Sequence, residues 1–201
     1  MGRAKARKLV PTRWSITATD DILGKQLIER VKELPMSDAP QVFSSDLFGN
    51  YFHVLLMPRA WAFEMIEAWS EDGHWQVGHD LEHYAGRTNY ADSITGAYYA
   101  ARLSVLEHLV ESARKQASVF VYREITEEYW APLGVWVIRE GVKNAMQSKG
   151  LVFEDIASAM RHIARRTRTD EWTRTAVLPR EARTQRTLRD FLGADERAPL
   201  G

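Results

Sequence analysis

Arg123-Glu124 closes a short apolar run, Arg139-Glu140 lies in the amphipathic stretch beyond it, and Glu127 and Glu128 fall between them. Two carboxylates beside arginines could share acid and base roles or hold a divalent ion. Ligands also tend to collect at strand ends in α/β folds. Glu124, Glu128, Glu140, Arg123 and Arg139 are therefore the catalytic candidates. The same residues also suit structural Arg–Glu pairing at a strand–helix junction, which the arginines beside Glu124 and Glu140 in sequence favour. His79 and His83 lie four apart in HDLEH, with His74 and Asp80 near them. On a helix such a pair could share a metal ion. No helical apolar pattern surrounds them and no third ligand sits at a fixed spacing, so the expectation is solvated loop histidines and no metal site. No cofactor is predicted, and a divalent metal enters only with an enzyme reading. The phosphate-binding, dinucleotide-binding and nucleophile-elbow signatures do not occur.

A second set of residues could bind rather than react. Nine arginines stand between 161 and 189, against Asp170, Glu171 and Glu181. Such a block suits phosphate or another acidic surface, and Arg161, Arg165, Arg166 and Arg168 are its leading nucleic-acid candidates. A solvated helix face with a floppy tail would give the same composition. Further on, Gln185, Leu188, Phe191 and Leu192 fit the pattern Q-x-x-aliphatic-x-x-aromatic-hydrophobic, which resembles a sliding-clamp-interacting peptide. One helical turn brings Leu188, Phe191 and Leu192 to a common side, where one apolar groove can take them. The Gln185 amide is then free for a separate polar pocket. Leu192 stands where the pattern usually has a second aromatic, which should weaken such binding without abolishing it.

The whole chain has 201 residues, 27 basic and 27 acidic side chains, and no cysteine. This length makes one domain the default and is enough to bury a core without a metal or disulfide. Zero net charge argues against a globally basic nucleic-acid binder, so the charge distribution matters more than its sum. The lack of cysteine removes disulfides, thiolate metal sites and cysteine nucleophiles from this chain. It is compatible with an intracellular compartment. No apolar run approaches the roughly 18–20 residues of a membrane span, so no membrane partner is expected. The basic start, MGRAKARKLVP, lacks the apolar stretch of a secretory signal.

The elements that must hold these residues centre on residues 93–147. Tyr98, Ala101, Val105, Leu106 and Leu109 follow helical spacing. Residues 117–122 read as a buried strand rich in β-branched and aromatic side chains. A second helical pattern includes Leu133, Trp136, Val137 and Val142, with Gly150 as its cap. Residues 1–8 read as a disordered basic arm and residues 9–16 as an extended segment or loop. Thr19 or Asp20 should cap a helix running to about Leu34. Residues 41–48 and 51–57 form a hairpin across Gly49-Asn50. Residues 61–69 read as a short helix, with Trp61, Met65, Ile66 and Trp69 on one side as core or, on a sharper reading, as a platform for an unpaired base. A brief strand at 75–77 and a polar loop over 79–92 follow. A helix over 153–166 and a last strand over 172–178 complete the reading. The expected fold is mixed α/β (α+β), with helices packed on a small sheet. Residues 9–178 would form one domain and 179–201 a flexible tail.

Four blocks carry a resemblance to a known family: LVPTRWSITATDD, SITGAYYAARLSVLEHL, RKQASVFVYREITEEYWAPLGVWVIREGVKNAM and the terminal QRTLRDFL. They resemble the C-terminal part of the archaeal Nre family of DNA-repair proteins, over roughly residues 9–192. The resemblance implies DNA repair at damaged DNA in a cytoplasmic, nucleoid-associated setting. It also implies recruitment to the sliding clamp (PCNA) through Gln185, Leu188, Phe191 and Leu192, with DNA as a second partner. Family members carry a further N-terminal half, often with a cysteine-bearing zinc-finger-like segment. The chain is accordingly expected to be a fragment, a split protein or a short member. The resemblance supplies no active site. A DNA- or nucleotide-processing enzyme and a structural subunit that needs an N-terminal half are the alternatives.

Overall fold

The computed structural model describes residues 12–71, 73–130 and 133–184. A six-stranded sheet runs in the order β4-β3-β5-β2-β1-β6, with helices on both of its faces. The strands are β1 (Gln41–Leu47), β2 (Asn50–Met57), β3 (Ala62–Glu71), β4 (His74–Glu82), β5 (Ser118–Ile125) and β6 (Leu151–Val152). β3 and β5 are parallel, and the other neighbours are antiparallel. This is the expected mixed α+β class.

One face carries α1 (Thr12–Lys32), α2 (Thr95–His108) and α3 (Val135–Gln147). Side chains alternate along a strand, so Phe43, Phe52, Val54, Phe63, Met65, Val119 and Val121 meet these helices. The opposite face carries α4 (Ile156–Ala164), α5 (Trp172–Thr175) and α6 (Leu178–Thr184). There Val42, Leu55, Ile66, Phe120 and Tyr122 pack with Ile163, Trp172 and Leu178. β5 is central, and every residue from Ser118 to Glu124 is buried.

Several local expectations need correction. Residues 62–71 form β3 rather than a helix. An interior strand buried on both faces loses its period-two alternation, and a short apolar run then reads as either element. Trp61 is 1% exposed, so it is core and no open platform. His79 lies within β4, not in a loop. Residues 12–16, expected to be an extended segment or loop, belong to α1. Asp20 is therefore inside that helix and pairs with Arg139 instead of capping. Residues 172–178 hold a helical turn and the start of α6, not a strand. The indole Nε1 of Trp172 donates to the Thr169 carbonyl at 3.0 Å while its ring lies against Phe120 and Tyr122. Pro179 and Ala182, placed in a tail by composition, are buried within α6. The hairpin link is one residue earlier than expected, at Phe48-Gly49, with φ of 50° and 73°. Gly150 does not cap α3, which ends at Gln147; it lets the backbone pass the Phe43 ring, where an added Cβ would lie 2.6 Å away.

Candidate nucleic-acid interface

Strand alternation sends Arg123 and Glu124 to opposite faces of β5. Arg123 is buried on the α1–α3 side. It bonds the Glu67 carboxylate, its Nε donates to Asn50 Oδ1 at 2.9 Å, and the Phe52 and Tyr129 rings flank it at 5.8 Å. Glu124 is buried on the α4–α6 side. Its Oε2 accepts the Tyr122 hydroxyl at 3.1 Å and the Arg168 backbone amide at 2.8 Å. Burial, reinforced by the Glu124 charge, pushes the Tyr122 hydroxyl well above the usual phenol range.

Glu128 lies just past the strand and is exposed. It accepts the Tyr51 hydroxyl at 3.4 Å and stands 3.6 Å from the Arg168 guanidinium. That guanidinium also sits over the Tyr51 ring, 5.2 Å from its centroid. Glu124 therefore fixes the Arg168 backbone and Glu128 steadies its side chain. Two residues singled out for acid–base chemistry converge on one singled out for phosphate. The other candidates lie elsewhere. Arg139 on α3 bonds Asp20, and Glu140 is partly exposed on the same helix. The five candidates do not meet in one concave pocket.

The arginine block begins on α4. Asp155 caps that helix by accepting the Ser158 amide at 2.6 Å, which holds its carboxyl below the usual range. Ala159 and Ile163 face the core, which leaves Arg161, Arg165, Arg166 and Arg168 exposed. Arg165 and Arg166 form no ion pair among the described residues. Burial lowers the His162 pKa, helped by Arg166 and Arg165. A groove of about 400 Å³ between α4, α5 and α6 has Met160, Ala164, Ala176 and Pro179 in its walls, with Arg161, Arg180 and Arg183 beside them.

The histidine pair of HDLEH is divided. His79 Nε2 meets Glu64 Oε1 at 2.8 Å, while His83 is exposed and 3.9 Å from Glu181. Among the described residues no group of three histidines or carboxylates is placed to hold a metal ion. Glu64 is completely buried and also accepts the amides of Val177 at 2.8 Å and Leu178 at 2.7 Å. It pins the start of α6 to the sheet. Sequence reasoning did not single it out.

A second feature was also missed. Arg102, 2% exposed, reaches Asp21 at 2.6 Å and Glu82 at 2.7 Å, with the Tyr99 ring 4.8 Å away. A cleft of about 330 Å³ opens beside it, edged by Lys25, Lys32, Arg87 and Tyr90. The available signal was an arginine on the apolar face of a helical pattern, Ala101-Arg102-Leu103. Residues 185–192, which carry Gln185, Leu188, Phe191 and Leu192, lie outside the described residues, as do residues 1–8.

Comparison with known proteins bears on this arrangement. Residues 82–191 match the family described as archaeal Nre, C-terminal, and residues 1–76 match archaeal Nre, N-terminal. The chain belongs to the archaeal Nre family. The likeness is not confined to the family's C-terminal part, since the first strands and α1 fall within the N-terminal match. Among Nre relatives, the DNA repair protein NreA of Archaeoglobus fulgidus is 41% identical over 198 residues, covering 96% of this chain and 49% of that protein. NreA of Haloferax volcanii is 40% identical over 171 residues, covering 81% and 40%. The DNA repair protein NreB of A. fulgidus is 39% identical over 194 residues, covering 92% and 49%. The chain thus spans about half the length of these curated relatives or less. No solved structure matches it. Among the described residues no helix is long and apolar enough to cross a membrane.

Proposed function

We propose that this Nre chain is a DNA-repair protein. It holds DNA by its phosphates on the arginine surface of α4 and residues 165–168, and residues 185–192 recruit it to the sliding clamp (PCNA). The observation that carries this reading is positional. Arg161, Arg165, Arg166 and Arg168 are all exposed, and the clamp-type pattern at Gln185 follows Thr184 directly in the sequence. The printed names of the relatives, DNA repair proteins NreA and NreB, support the repair role. Guanidinium groups suit this task, because each offers several donors to phosphate oxygens and keeps its charge at any physiological pH. Backbone contacts of this kind position a protein on DNA without reading sequence. The clamp peptide would order on binding, which favours modest, reversible affinity. Such a protein would work at the nucleoid.

The geometry favours binding over chemistry at the candidate carboxylates. Glu124 is occupied by Tyr122 and Arg168, and Arg123 faces the other side of the sheet. The clamp arm is tested by deleting residues 185–201. The shortened chain should keep its thermal midpoint and lose capture by immobilised archaeal clamp in a pull-down. Undiminished capture would remove the clamp assignment.

A further inference from the structure

We infer that an aromatic tip beside Arg168 is a stacking platform for unpaired bases, so that the chain engages single-stranded DNA there. This rests on the DNA-binding reading above and goes further by naming the form of DNA. Trp130 is 87% exposed and Phe48 is 58% exposed, unusual positions for large aromatic side chains. The Phe48 backbone is firmly held. Phe48 sits in the left-handed region at the hairpin turn, where the Asn50 side-chain amide donates to the carbonyls of Leu47 and Phe48 at 3.0 Å each. Gly49 follows with φ 73°, and its backbone lies so close to Glu128 and Tyr129 that an added Cβ would be 2.7 Å from their backbone atoms. The hairpin tip and the segment bearing Trp130 are therefore held together. Tyr129 is anchored by Arg123 over its ring, and its hydroxyl accepts the Leu133 amide at 2.9 Å.

The charge comes from the same place. The Thr126 amide and hydroxyl both donate to the Gly49 carbonyl at 3.0 Å, fixing the strand exit against the hairpin. Arg168 then joins this corner through Tyr51 and Glu128, and its own backbone is pinned by Glu124. Arg165 and Arg166, also exposed, stand three and two residues before Arg168 in the chain. Exposed rings on a tip that is joined to Arg168 through Tyr51 and Glu128 fit a polyanion whose bases are free to leave the helix stack. A duplex offers phosphates to the arginines, but no open base face to Trp130.

The test uses the full chain and fluorescence anisotropy with a labelled oligo-dT of about twenty nucleotides and a mixed-sequence duplex of equal length. Trp130→Ala should weaken oligo-dT binding by roughly tenfold and leave duplex binding unchanged. Trp130→Phe should restore most of the loss. Phe48→Asn, which tolerates the positive φ, should weaken oligo-dT binding in the same selective way. If Trp130→Ala binds oligo-dT like the wild type, or loses both DNAs equally, the platform is refuted while the arginine surface stands. A wild-type chain that binds neither DNA refutes both.

Discussion

His53 is 5% exposed on β2, with its Nδ1 2.8 Å from the Ser44 hydroxyl and its ring stacked on Tyr122. Burial, and then the charges of His162 and Arg166, lower its pKa to about 4. An unfolded histidine takes up a proton near pH 6.5, whereas the folded one resists until about pH 4. The unfolded state therefore binds more protons across that window. Stability is complete above about pH 6.5 and falls as the pH drops toward 4, by about 3 kcal/mol from this group. His108 and His162 are lowered as well and act with the same sign. Urea midpoints should fall between pH 7.5 and pH 4.5, and His53→Gln should flatten that fall. A midpoint that rises on acidification would contradict this assignment. Little of this environment was legible in the sequence, because Ser44, Tyr122, His162 and Arg166 come from three separate segments. Arg102 was more legible, since a charged residue on an apolar helical face needs partners such as Asp21 and Glu82.

Elements whose spacing or composition pointed to a single class were readable, and short elements or those with a mixed signal were not. α2 and α3 each show helical spacing, and β5 stands out through its β-branched and aromatic run. β3 misleads because both its faces are covered and its Trp and Met spacing mimics a helix. α5 misleads because Trp172 carries most of its burial in a four-residue turn. Close packing between α3 and the sheet gives a direct test of element geometry. An added Cβ at Gly141 would lie 2.1 Å from the Phe52 ring, and Phe52 is fully buried in the middle of the sheet. Helix propensity alone would make Gly141→Ala stabilising by about 1 kcal/mol. Overpacking against a ring with no room to retreat costs about 1–3 kcal/mol and should win. The thermal midpoint of Gly141→Ala should drop, and an increase would show that α3 can shift away from β2.

On the scale of the molecule, the chain is neutral but its charge is not evenly spread. The arginine cluster was visible in sequence because it is local, and its exposure follows from α4 turning Ala159 and Ile163 inward. The corner formed by Phe48, Tyr51, Glu128, Trp130 and Arg168 was not visible, because sheet order alone brings those distant segments together. The paired carboxylates first suggested chemistry, and in the fold they hold an arginine in place. The central claim is that this surface grips DNA through its phosphates. It is tested most directly by the salt dependence of duplex binding, measured for the wild type and for an Arg165→Ala/Arg166→Ala variant from about 50 to about 200 mM salt. Each arginine that neutralises a phosphate should contribute about 0.9 to the slope of log affinity against log salt. The account predicts a slope shallower by about two in the double variant; an unchanged slope and affinity would contradict it.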